Sequence, residues 1–172
     1  MDAQEKIELI ENLRVGCDTL LSTVSGITEE RAARVPAPGR WSVLECVEHI
    51  VLAEDHMFAK LVSAERSEQP LVNTRREAAI RQRGPDRSTR VEAPDAAKPR
   101  GSFASLQEAV QHFMESRART IEFVAKCDED FRAMLAIHPL FGRINGYEML
   151  LLIAAHPYRH AKQIEEVLAS LD

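Results

Sequence analysis

The chain has no disulfide framework and no cysteine metal motif. Its three cysteines, Cys17, Cys46 and Cys127, are odd in number, widely spaced and without a CxxC pair, so reduced thiols are expected. Aromatic residues are scarce at 5%, which leaves any pocket mostly aliphatic and offers little on which nucleobases could stack. Long apolar runs are absent too: the longest, Met149 to Ala155, has seven residues against the ~20 needed to cross a bilayer. No membrane span is expected. The opening MDAQEKIELI is acidic and amphipathic, where a secretory leader would carry a basic patch and then an apolar stretch, so a cytoplasmic location is expected. Neither sign of charge dominates, with 22 Lys plus Arg against 27 Asp plus Glu and a net charge of −5. A chain of 172 residues suits a single domain over 1–172, which can remove roughly 70% of its unfolded surface from water. It needs no metal as a staple, so metal ligands call for a functional explanation.

What the chain does have is helical periodicity. Ile7, Ile10, Leu13, Cys17, Leu20, Leu21 and Val24 follow the three-and-four spacing of a helix with one buried stripe. Gly26 and Pro36 bracket its end, with a short helical turn predicted at 29–34. Ser42-Val43-Leu44-Glu45 is a capping box that opens a second long helix, predicted to reach about Arg66. Ser105-Leu106-Gln107-Glu108 opens a third, to about Lys126, and Asn145-Gly146-Tyr147-Glu148 repeats the logic for a fourth, to about Ala169. Between helices 2 and 3, residues 67–102 carry four prolines, two glycines and few large apolar residues. This reads as a long crossover with one helical turn near 74–82. No alternating strand pattern is evident. The fold class is therefore all-α, a four-helix bundle with one long crossover between helices 2 and 3.

Several polar residues fall on stripes that should be buried. His156 and His160 project from the apolar face of the fourth helix at i and i+4, about 5–6 Å apart at Cβ, where one metal ion can bridge them. Pro157 between them removes a helical amide and frees the Ile153 carbonyl, which should kink the helix. His49 lies just beyond the flank of the second helix's apolar arc and could meet a facing helix. Three imidazoles would leave coordination positions open, as in catalytic rather than structural sites, and imidazole suits zinc, nickel, iron and copper alike. Satisfied core histidines are the competing explanation of an HxxxH pair. His56 is the next candidate ligand, whereas His112 and His138 read as exposed or capping. Arg117 and Glu54 also lie on buried stripes. Either they form an interior ion pair, or Arg117 faces a cavity and receives an anionic substrate group. Cys17 reads as a small core hydrophobe; Cys46, one turn before His49, is placed to approach a metal but would close its open position; and Trp41 reads as an anchor for the start of the second helix.

Trp41-Ser42-x-x-Glu45-x-x-x-His49, followed by His138-Pro139-x-Phe141-Gly142 and His156-x-x-x-His160-x-x-Gln163-Ile164, resembles the DinB-like superfamily of four-helix-bundle metalloproteins. Val91-Glu92-Ala93-Pro94 and Phe113-x-x-x-Arg117 add to the likeness, which covers nearly the whole chain. The resemblance implies that His49, His156 and His160 bind a divalent metal, zinc or nickel, and that the protein is a homodimer. The better-understood relatives are bacillithiol transferases and mycothiol-dependent isomerases. By that likeness the expected function is a metal-dependent transferase joining a low-molecular-weight thiol to a small electrophilic substrate, with Gln163 hydrogen-bonding behind a ligand and Arg117 anchoring an anionic thiol cofactor. A metal-dependent hydrolase and a non-catalytic metal-binding or stress-response module are the alternatives. The crossover is basic, with Arg75, Arg76, Arg81, Arg83, Arg87, Arg90, Lys98 and Arg100 against Glu77, Asp86, Glu92 and Asp95. Nucleic acid is nonetheless not expected as a partner, because the chain is net acidic and the crossover has no aromatic residue.

Overall fold

In the computed structural model, which describes residues 1–88 and 91–171, the chain runs α1 (Ala3–Val24), α2 (Glu29–Ala33), α3 (Val43–Val62), β1 (Glu65–Arg66), α4 (Thr74–Arg83), α5 (Leu106–Lys126), β2 (Met134–His138), β3 (Gly142–Asn145) and α6 (Gly146–Ala169), with 3₁₀ turns at Asp95–Ala97 and Phe131–Ala133. Arg90 of the basic crossover set lies outside the described residues. The long helices α1, α3, α5 and α6 form the four-helix bundle, α1 packing on α5 and α6, and α3 on the same two.

Each long helix starts where a short polar side chain satisfies its free first-turn amides. Asp2 with Glu5, Ser42 with Glu45 and Asn145 with Glu148 make complete capping boxes at α1, α3 and α6. The box expected at α5 is half formed. Ser105 accepts from the Glu108 amide, but the Glu108 carboxylate takes the amide of Ala104.

Strands are the main departure from the sequence-based expectation. β1, β2 and β3 form an antiparallel sheet in that order, with Glu65 opposite Leu135 and Leu135 opposite Asn145. The second long helix accordingly ends at Val62 rather than Arg66, because Glu65 and Arg66 pair with β2. Val62, placed on the apolar arc by periodicity, is 48% exposed. In the β2–β3 hairpin His138 faces Gly142 across the loop, Gly142 takes the positive φ of 66° that such a loop requires, and His138 Nδ1 accepts the Leu140 amide. His138 is thus a turn-capping residue.

The core has two parts. One gathers Leu9, Leu13, Met57, Leu61, Phe131, Tyr147 and Ile153; the other gathers Leu20, Val47, Ile50, Phe113, Ile164 and Val167. Along the helices, the level between them is where Gly16, Glu54, Arg117, His156 and His160 fall, so a polar belt crosses the bundle. Helix α4 is fastened over α6 by an ion pair from Arg76 to Glu148 and a hydrogen bond from Arg81 to the Tyr147 hydroxyl, and to the Phe131–Ala133 turn by an ion pair from Glu77 to Arg132. A Cβ at Gly84 would stand 2.6 Å from that of Ala155. The Met149–Ala155 segment, apolar around its helix, is therefore covered by α1 on one side and α4 on another within the same chain.

Candidate metal centre

His49 from α3 and His156 and His160 from α6 meet in the polar belt. The His156 Nε2 lies 3.2 Å from His49 Nε2 and 3.0 Å from His160 Nε2. The ligand atoms of all three rings lie within 4.8 Å of one another. Among the described residues no cysteine or carboxylate joins this group, and His56, His112 and His138 stand outside it. Cys46, one turn before His49, packs in the apolar core, where burial pushes its thiol up to about 12.

The far side of two rings fixes which nitrogen carries the proton. His49 Nδ1 is 2.6 Å from the Ala97 carbonyl oxygen, which only accepts, so Nδ1 donates and Nε2 keeps a lone pair. His160 Nδ1 is 2.9 Å from Gln163 Oε1, with the same consequence. His156 Nδ1 is shut off from solvent and has no hydrogen-bond partner among the described residues. One proton on the His156 ring cannot satisfy both facing lone pairs at full strength. A cation at the meeting point can. Nitrogens bound tetrahedrally to zinc at about 2.0–2.1 Å stand about 3.3 Å apart, close to the two separations seen here, so the residues present fit a divalent metal. Burial, with the neighbouring imidazoles adding to it, holds His156 and His160 well below the usual histidine range, and burial lowers His49 against the opposing pull of the Ala97 carbonyl. Each of these shifts favours the neutral imidazole.

The surroundings hold these rings in place. Trp41 lies tilted over His49 with ring centroids 4.9 Å apart. Glu48, 1% exposed, accepts the backbone amides of Arg100, Gly101 and Ser102, and so pins the end of the crossover, with Ala97, against α3. Burial opposes ionisation of Glu48, but the amides of Arg100, Ser102 and Gly101 outweigh it and lower its pKa. Gln163, singled out from the sequence, stands behind His160 as described. Arg117 forms the interior ion pair of the two alternatives: Nε and Nη2 donate to Glu54, Nη1 to the Leu13 carbonyl and Nη2 to the Ile153 carbonyl. Thr120 completes the Glu54 carboxylate. Sequence reasoning missed Glu48 and the Ala97 carbonyl, and no periodicity or spacing marks either. The surface depression lined by Phe58, Phe123 and Cys127 shares no residue with the cluster.

The sequence profile of the DinB superfamily matches residues 13–164. The chain belongs to the DinB superfamily. No curated protein matches its sequence. Among solved structures, this DinB-superfamily chain is similar to TT2238, a four-helix bundle protein, with a TM-score of 0.59 and 21% identity over 94% of this chain and 98% of that one. It is also similar to YfiT from Bacillus subtilis, described as a probable metal-dependent hydrolase with an unusual four-helix bundle topology. There the TM-score is 0.62 and the identity 16%, over 99% of this chain and 90% of that one. At such identities the likeness establishes the fold.

Proposed function

We propose that this DinB-superfamily protein is a metal-dependent enzyme in which His49, His156 and His160 hold a divalent cation, zinc or nickel, through Nε2. We further propose that it joins a low-molecular-weight thiol to a small electrophile. The observation that carries the reading is the convergence of three Nε2 atoms, two of them bared by acceptors on the far side of their rings. A cation held by three imidazoles supplies charge that lowers the pKa of a thiol or water in its open positions and so provides a nucleophile at neutral pH. The chain's own part is orientation. Ala97 and Gln163 hold two rings edge-on to the centre, and Trp41 shields His49 from solvent on one face.

A cation on three imidazoles would serve a thiol or a water nucleophile equally, and what favours the thiol is the resemblance carried by Trp41-Ser42-x-x-Glu45-x-x-x-His49 and His156-x-x-x-His160 to thiol-dependent relatives. A thiol with an ordinary pKa of about 8.5 sheds its proton to solvent once its charged form is stabilised. Hydrolysis is the second reading, supported by the description of YfiT as a probable metal-dependent hydrolase.

The test is metal analysis of purified protein, followed by conjugation assays of the zinc and nickel forms with glutathione, bacillithiol and mycothiol against a panel of small electrophiles. About one metal per chain and a conjugating activity lost in His160→Ala are expected. Ester or amide cleavage without any thiol would establish the hydrolase instead, and protein that retains no divalent metal would sink both readings.

A further inference from the structure

Arg87 comes from the crossover, and the sequence marks it only as one of a run of basic residues. In the fold it reaches α6. Its Nη1 donates to Gln163 Oε1 at 2.8 Å, while Nε and Nη2 grip Glu166 at 3.1 and 2.9 Å. The same Gln163 oxygen faces His160 Nδ1 at 2.9 Å. A guanidinium has donors and no acceptor, so the Gln163 atom turned towards it must be the carbonyl oxygen; the amide nitrogen there would set donor against donor. The oxygen then faces His160 as an acceptor, and the proton of that ring must sit on Nδ1. Glu166 holds Arg87, Arg87 orients the Gln163 amide, the amide selects the His160 tautomer, and the tautomer puts a lone pair on Nε2 at the centre.

We propose that Arg87 is a positioning residue for the metal centre, selecting the Nδ1–H tautomer of His160 through Gln163 and tying assembly of the site to the seating of the crossover on α6. The consequence for metal affinity rests on the metal reading above; the tautomer does not. Without Arg87 the Gln163 amide is free to turn its nitrogen to His160, where it donates to Nδ1 and leaves the ring proton on Nε2. Metal binding then has to be preceded by a change of tautomer. Partners behind a ligating histidine typically change metal affinity about 10- to 100-fold when removed.

The experiment uses the full chain, labelled with nitrogen-15. In the metal-free protein, long-range nitrogen–proton correlations of the His160 ring report which nitrogen is protonated, and chelator competition reports zinc affinity. The wild type is expected as the Nδ1–H tautomer. Arg87→Met should shift the ring towards Nε2–H and weaken zinc about 10- to 100-fold, and Arg87→Lys, again a donor only, should keep both properties. Gln163→Glu placed on Arg87→Met should restore Nδ1–H, because a carboxylate has no donor to turn inward. That rescue is something a merely structural surface clamp would not produce. Arg87→Ala, which also removes every donor, serves as a second loss-of-function variant should Arg87→Met fold poorly. A His160 spectrum in folded Arg87→Met or Arg87→Ala identical to the wild type overturns the proposal. If the wild type binds no zinc, the metal reading fails, and the spectra still decide the role of Arg87.

Discussion

Arg117 donates from Nη2 to the carbonyl oxygen of Ile153 at 3.1 Å, the carbonyl that Pro157, four residues on and without an N–H, leaves without its helical partner. The same guanidinium is balanced by Glu54, and both side chains are 2% exposed. A buried charge pair therefore repairs a gap in the hydrogen bonding of α6 at Ile153, three residues before His156 and seven before His160.

The pair is tested by breaking it from one side. Arg117→Met leaves the Glu54 carboxylate buried with Thr120 alone and the Ile153 carbonyl unpaired, and should destabilise the protein by about 3–5 kcal/mol. Replacing both partners by apolar residues, Glu54→Leu with Arg117→Met, should be less damaging than either single change, because no uncompensated charge remains. Urea unfolding of the four members of this cycle measures the coupling. Additive losses would mean that the two residues act independently.

Glu48 offers a prediction that links stability to the centre. Its carboxylate holds three backbone amides of the segment that also carries the Ala97 carbonyl behind His49. Glu48→Ala leaves those amides without their acceptor and should lower stability by about 1–3 kcal/mol. Zinc affinity in a chelator titration should fall about 10-fold as His49 loses its hold. Unchanged affinity in a folded variant would show that Ala97 is seated by something else.

Acid should unfold the metal-free protein early. His49, His156 and His160 are all shifted below the ordinary histidine value of 6.5 by burial, and burial takes His138 down to about 4, with Lys60 and His56 adding to it. Folded-state values below unfolded ones mean that the unfolded chain binds more protons under acid, so stability rises with pH. The contribution is present above about pH 6.5 and is lost as pH falls towards the folded values. The midpoint of thermal unfolding should drop between pH 7 and pH 5, and drop less in His156→Gln/His160→Gln. A pH-independent midpoint over that range would show that the rings are already solvated in the folded state.

The bundle was legible because its signals are local. Capping residues and three-and-four apolar spacing mark α1, α3, α5 and α6 within one or two turns of chain, and His156 and His160 declare themselves by lying on the same face. The sheet was not legible because β1 has two residues and draws its stability from pairing with β2, distant in sequence. Leu135 and Met134 are buried side by side rather than in alternation, since that strand lies over the bundle end. Arg87 and Glu48 were missed for a related reason. Their roles depend on where the crossover settles, and a segment rich in proline and charge carries no periodicity that could say.

Gly16 carries the last prediction, in which two effects of opposite sign compete. In a helix interior Gly→Ala ordinarily gains about 0.5–1 kcal/mol from reduced backbone freedom. Here a Cβ would lie 2.9 Å from the Ala154 carbonyl oxygen, 3.3 Å from the Tyr158 ring and 3.7 Å from Arg117 Nη1. The nearest of these atoms is backbone, in the turn of α6 just before Pro157, so relief requires α1 and α6 to move apart rather than a side chain to rotate. Overpacking of that kind typically costs about 1–3 kcal/mol, which outweighs the propensity gain. Gly16→Ala should therefore destabilise the protein. Because the displaced backbone lies two residues before His156, it should move that ring relative to His49 and, on the metal reading proposed above, weaken zinc binding. Chemical denaturation and chelator competition on the same variant measure both. A gain in stability would show that α1 and α6 have room at this crossing, and that the approach of Gly16 to Ala154 does not set the position of His156.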